Sequence, residues 1–172
     1  MDIQFLVGKQ TAEGTAKLTG LSQLDCTNYG VVPKVNKTTS KAIGAGRWER
    51  DGFVSKVEVN GDLTIEATTG QLEILLEGAG FKGTKDNKNH NFLPGPFDNF
   101  LTLVSNNIED DIAEYAQDCL VSSLKISTQM EAFVNVTANI IGKEHKILNN
   151  KISATPVALK GESLICLGAV IK

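Results

Sequence analysis

Two long stretches of the chain alternate apolar and polar residues, and they set the first expectations. From 56 to 67 the odd positions hold Val57, Val59, Gly61, Leu63, Ile65 and Ala67, and the even ones hold Lys56, Glu58, Asn60, Asp62, Thr64 and Glu66. Period two is what a strand with one buried face requires. Asn60-Gly61 would ordinarily signal a hairpin turn. A two-residue turn there would pair Val59 with Asp62 and Val57 with Thr64, putting the two apolar sets on opposite faces. One continuous strand keeps them together, and the pattern predicts that strand. From 120 to 140 the even positions run Leu120, Ser122, Leu124, Ile126, Thr128, Met130, Ala132, Val134, Val136, Ala138 and Ile140. That is too long for one ordinary strand, so a hairpin is expected to turn near 128–131. Because parity survives the turn, the loop should hold an odd number of residues.

Between them the period changes. Thr68 and Gln71 have capping-box spacing. Leu72, Leu75, Leu76 and Ala79 then recur at i, i+3, i+4 and i+7, a helix with one apolar face, with Gln71, Glu73 and Glu77 left for water. Gly78 and Gly80 offer the stop. The helix packing face is thus expected to be Leu72, Leu75 and Leu76, either within the subunit or across to a neighbour. Further strands are expected at 99–105 and 164–171, while 108–119 fits a helix or a strand equally well. The sum is a mainly β chain, a β-sandwich or barrel with one flanking α-helix. Residues 33–50 and 82–92 are polar enough to be long loops, and 1–172 is expected to be a single domain.

Length and composition agree. The 172 residues, 41% hydrophobic and 22% charged, can bury a core without staples. The balance of 17 basic against 20 acidic residues leaves no basic excess of the kind duplex-binding domains carry. No apolar run reaches membrane-spanning length, so no membrane partner is expected. Cys26, Cys119 and Cys166 are too few and too far apart for a disulfide framework or a zinc site, and are expected to be reduced thiols. The N-terminus lacks the pattern of a signal peptide.

Catalytic motifs fail one by one. The GxGxxG spelled by 78–83 follows a helix instead of opening one, which is the wrong context for a dinucleotide. His90 and His145 have no second ligand at metal-site spacing. A Cys–His pair assembled in space stays open. No catalytic residue, metal or cofactor is expected. Glu109, Asp110, Asp111, Glu114 and Asp118 crowd five carboxylates into ten positions, either a solvated loop, a surface that repels polyanions or, more weakly because the spacing does not fit a calcium loop, a cation site. Trp48 is either a core residue or an anchor in a protein contact.

Three stretches together resemble the tail tube proteins of long-tailed phages with non-contractile tails. They are the opening from Phe5 to Thr15, the long strand, helix and glycine-rich exit at 51–81, and the hairpin at 118–142 containing Ser-Ser-Leu-Lys-Ile-Ser. The resemblance implies a tail-tube-like fold and a structural virion protein, phage- or prophage-encoded, made in the bacterial host cytoplasm and located in the virion tail. It implies self-assembly into rings, usually of six copies, that stack into the conduit for DNA ejection. It also implies tape measure and terminator proteins as partners, with DNA only in transit. Under it Glu58, Asp62 and Glu66 are lumen candidates, and Lys37, Lys41, Trp48 and Phe92 are candidate inter-subunit contacts. Many relatives are longer, so the ending inside a strand-like run fits a fragment, or a strand completed by a neighbouring subunit. The alternatives are a monomeric β-sandwich module that binds a receptor or carbohydrate, the tube protein of a bacterial contractile injection system, and a baseplate or terminator protein.

Overall fold

A computed structural model describes residues 2–38, 53–85 and 90–166. In chain order its elements are β1 (Ile3–Lys9), β2 (Ser22–Gln23), β3 (Cys26–Tyr29), β4 (Val32–Thr38), β5 (Phe53–Glu66), α1 (Thr69–Gly78), β6 (Phe81–Lys85), β7 (His90–Pro94), β8 (Leu101–Asn107), β9 (Ile112–Ser127), β10 (Ala132–Phe133), β11 (Asn135–Gly142), β12 (Glu144–Leu148) and β13 (Ile165–Cys166). Among the described residues nine strands form one sheet: seven follow the path β2-β1-β8-β9-β11-β5-β3, with β12 added beside β9 and β4 beside β5. The described residues are mainly β with one helix, as the alternation implies.

The path does not lie in one plane. The first half of β9 pairs with β8 and β12, and its second half pairs with β11. The crossover is built at Asp118. Between Leu101 and Leu103 of β8, strand β9 advances from Cys119 to Ala116, one residue more than its partner, and the extra residue bends the strand. Asp118 takes a left-handed φ of 53°. Its carboxylate accepts from the Gly14 N–H at 2.7 Å, and its own N–H donates to Gln10 Oε1 at 3.2 Å. On the partner strand, Lys143 separates β11 from β12 at the same level, and its N–H donates to the Gln117 carbonyl. The two halves therefore face each other. Val7, Leu101 and Leu103 from one half pack with Val59, Leu63, Ile65, Val136, Ala138 and Ile140 from the other. The first half is covered on its far side too, where Leu6, Val104 and Tyr115 meet Leu18, Leu21 and Ile152. Burial on both faces explains the unbroken run Leu101-Thr102-Leu103-Val104.

Strand β5 is continuous through Asn60-Gly61, as predicted. Glycine stands at 61 because the chain joining β3 to β4 crosses there. A Cβ on Gly61 would lie 1.9 Å from the Gly30 carbonyl oxygen. The hairpin is also present: Ser127 pairs with Asn135, leaving the seven residues 128–134, an odd number. Its parity holds only on one side. A bulge opposite Asn139/Ile140 inserts Ser122 into β9, so Val121 is buried and Leu120 turns to the opposite face. The expected apolar set Leu120, Ser122, Leu124 is corrected accordingly.

Helix α1 has the predicted capping box on Thr68 and Gln71, and Gly80 follows it at φ 81°. Its inward face is rotated from expectation. Gly70, Gln71, Leu75 and Gly78 are buried, whereas Leu72 and Leu76 are half-buried. Gln71 is not in water: its amide donates to Asp25 Oδ2 at 2.8 Å. The hydrogen bond satisfies a group whose burial alone would be unfavourable. Glu77 is paired with Lys9 at 2.6 Å.

Both expected loops are corrected in part. Residues 32–38 are strand β4, paired along β5, and 82–92 is largely the β6–β7 hairpin. Charged residues hid the first because the ribbon is solvated. Pro33 and the lysines of β4 are edge-strand features. Residues 108–111 form a turn, and the ambiguous segment beyond it is the start of β9. The strand expected at 99–105 is displaced to 101–107, and of 164–171 the pair Ile165–Cys166 is strand, with 167–172 outside the described residues.

Gly61→Ala is expected to lower stability by about 2 kcal/mol or more, because backbone must move to admit the methyl group. Denaturant unfolding would show a lower midpoint with an unchanged slope. A loss below about 0.5 kcal/mol would contradict the close crossing.

Candidate functional site

The largest feature that alternation builds is a broad polar face on the second half of the sheet. Directly paired residues share a face, so the register fixes its membership. Glu66, Asn135 and Ser127 form one row; Thr64, Thr137 and Lys125 the next; Asp62, Asn139 and Ser123 a third. Hydrogen bonds tie the rows across strands. Thr64 and Thr137 hydroxyls meet at 3.1 Å, and Asn139 Nδ2 donates to Asp62 Oδ1 at 2.7 Å. Ser122 Oγ, carried on the bulge, donates to Asn139 Oδ1 at 2.7 Å. The face is a connected polar surface in which asparagine, serine and threonine side chains hold one another.

Glu58, Asp62 and Glu66 lie along this face at four-residue steps, about 13 Å apart at the usual rise per residue. Asp62 and Glu66 are exposed and Glu58 is half-buried, paired across strands with the position of Lys34. Lys125 shares the face.

The remaining predicted residues do not converge. Lys37 is exposed on β4, and Phe92 is half-buried on β7 with its ring 4.5 Å from that of His90. Lys41 and Trp48 fall outside the described residues. The five clustered carboxylates are dispersed. Asp118 is buried at the sheet corner, Asp110 accepts from Asn107, Asp111 lies 3.8 Å from Lys151, and Glu114 lies 3.4 Å from His145. The Asp118 corner had no sequence signal beyond an aspartate's tolerance of positive φ.

Among the described residues no group of three His, Cys, Asp or Glu side chains could hold a metal ion, and no helix is long and apolar enough to cross a membrane. All three cysteines are free. Burial, reinforced by Asp25, pushes the Cys26 thiol up to about 12. Burial and Asp118 push Cys119 up to about 12, against a lowering hydrogen bond from the Leu103 backbone. A nucleophilic thiol needs the opposite shift.

A family model described as phage tail tube protein matches residues 2–161. The chain belongs to the phage tail tube protein family. It is a structural virion protein of the tail, one that builds a tube from copies of itself. No curated protein matches it. Among solved structures, the SPP1 tail tube aligns at 15% identity over 87% of this chain and 77% of its own, with a TM-score of 0.49. Hcp1 from Salmonella typhimurium aligns at 12% identity over 86% of each chain, with a TM-score of 0.45. A chain of the anti-feeding prophage baseplate aligns at 7% identity over 85% of this chain and 91% of its own, with a TM-score of 0.46. These scores all lie below 0.5, and the family match alone carries the assignment.

The thiol shifts give a prediction for the tail tube protein. Cys26 and Cys119 remain protonated in the folded state to higher pH than in the unfolded chain, whose thiols ionise near 9. Between those values the folded state binds more protons, so stability is fully present below pH 9 and falls as pH rises toward 12. Thermal melts from pH 8 to 11 should show the decline, and Cys26→Ser/Cys119→Ser should reduce it below pH 10, above which the Tyr29 hydroxyl, also shifted upward by burial, adds a loss of the same sign. At pH 8 the buried Cys119 should resist maleimide until the chain is unfolded, whereas Cys26 is only half-buried; rapid native labelling of Cys119 would contradict its burial.

Proposed function

We propose that six copies close into a ring, that rings stack into the tube, and that the polar face of β5, β9 and β11 lines the lumen. The observation that carries this is the face itself. It is three strands wide, hydrogen-bonded across rows, and carries carboxylates at regular steps on the strand whose other side is core. A wall of this kind needs one face for the subunit and one for water, which is what period two provides. Phosphates are held by positive charge, so a face with Glu58, Asp62 and Glu66 against Lys34 and Lys125 lets DNA slide past. The edge strands β3 and β4, and the ribbon with Lys37, are available for pairing or contact between copies, which would remove open edges. Phe92, with Lys41 and Trp48 outside the described residues, completes the proposed set of inter-subunit contacts. Tape measure and terminator proteins are the expected heterologous partners, and synthesis takes place in the bacterial host cytoplasm before assembly. The protein works as a conduit, with no chemistry asked of it.

The test is ejection kinetics. Changing Glu58, Asp62 and Glu66 together to Lys reverses three charges per copy, and should slow DNA ejection from assembled particles by roughly tenfold or more at low salt, with partial recovery at high salt. The neutral set Glu58→Gln, Asp62→Asn, Glu66→Gln should eject close to the normal rate. Normal ejection by the lysine variant in intact tails would remove these residues from the lumen.

A further inference from the structure

The hairpin β9–β11 ends in an apolar projection and begins beside an apolar cleft. At its base, Phe97, Phe100, Leu120, Val121 and Ile141 line a cleft of about 250 Å³. Phe97 is 63% exposed and Ile141 52%. Ile141 and Leu120 are cross-strand partners on the face that is otherwise polar, placed there because Ile141 continues the Asn135–Asn139 side and the Ser122 bulge rotates Leu120 onto it. At the other end, about 20 Å away at the usual rise per residue, the tip carries Met130 at 72% exposed, with Phe133 beside it at 45%. The tip is ordered: the Glu131 N–H donates to the Cys166 carbonyl at 2.7 Å, the Val134 N–H donates to the Leu164 carbonyl at 2.8 Å, and β10 pairs with β13. Met130 is therefore presented in advance, which reduces the ordering cost of any contact it makes.

We propose that Met130 at the hairpin tip of one copy of this chain seats in the Phe97–Ile141 cleft of the next. The inference rests on the tube reading and names the contact between copies. Size agrees: an apolar cavity of about 150 Å³ holds a benzene ring, so this open cleft admits one methionine or phenylalanine side chain. Glu131 flanks Met130, and Lys143, paired with Glu13, lies on the cleft rim with ammonium protons to offer a second carboxylate; Asp118 also lines the cleft, with its own carboxylate taken up by the Gly14 N–H. Knob and cleft are different surfaces of one chain, so the contact can repeat head to tail from copy to copy; a reciprocal two-fold exchange would stop the double variant at dimers and overturn that repeat.

Cross-linking with a short bismaleimide tests it, using the full chain with Cys26→Ser and Cys166→Ser as background, which leaves only the buried Cys119. Met130→Cys combined with Ile141→Cys in one chain should give a ladder extending beyond dimers. A mixture of the two single variants should give dimers, and either single variant alone should give none. Tubes seen by negative-stain electron microscopy without a ladder, or single variants that cross-link as well as the mixture, overturn the pairing and leave the tube reading standing. Monomers alone at high concentration, with no ladder, overturn both. Independently, Met130→Asp should raise the concentration needed for assembly about tenfold or more while leaving the melting temperature within a few degrees; unchanged assembly would also overturn the pairing.

Discussion

The bend in β9 at Asp118 is the feature on which the rest of the molecule depends. A strand of sixteen residues, paired along its length with β11 and β12, would otherwise run straight out of any core this chain could build. One extra residue in a left-handed conformation, held by Gly14 and Gln10 from the N-terminal segment, carries the strand from one half of the sheet into the other. Facing halves then follow, with the core between them and a free outer surface on the second half. The helix lies against the core through Leu75, pinned by its capping box and by the Gln71–Asp25 hydrogen bond.

The two halves have different tasks because their burial differs. The first is covered on both sides, and its central strand is buried at four successive residues, Leu101 to Val104. The second has only one side covered, and its alternation leaves a polar face beyond it. A tube protein needs such asymmetry. A wall must hold its shape while offering the passing polyanion neither a sticky apolar surface nor a run of cations. The cross-strand hydrogen bonds among Thr64, Thr137, Asp62, Asn139 and Ser122 fix the polar side chains to one another, so the face has an order of its own.

Where period two ran undisturbed, the sequence could be read directly. The long strand through Asn60-Gly61, the hairpin with its odd loop and the capped helix were all legible, since each rests on local geometry that repeats. What was not legible arises from contacts between distant segments. Gln71 looked like a solvent residue because its partner, Asp25, lies 46 positions away. Leu120 looked like core because nothing marks Ser122 as a bulge. Strand β4 looked like a loop because a two-stranded ribbon standing in water carries the lysines and proline that loops also carry. On the candidate surface, the acids of β5 could be found by parity, but the Thr, Asn and Ser residues that complete it needed the register. The cleft left a faint trace, the doublet Ile140-Ile141, where one isoleucine had to face away from the core.

The free polar face is proposed to be the inner surface of the tube. A cryo-electron microscopy reconstruction of tubes assembled from this chain, at a resolution that separates strands, tests it most directly. In such tubes β5, β9 and β11 should circle the channel with Asp62, Glu66 and Asn139 pointing into it. A channel lined by α1 or by the β6–β7 hairpin, with the rows of Asp62, Thr64 and Glu66 buried between copies or turned outward, would contradict it.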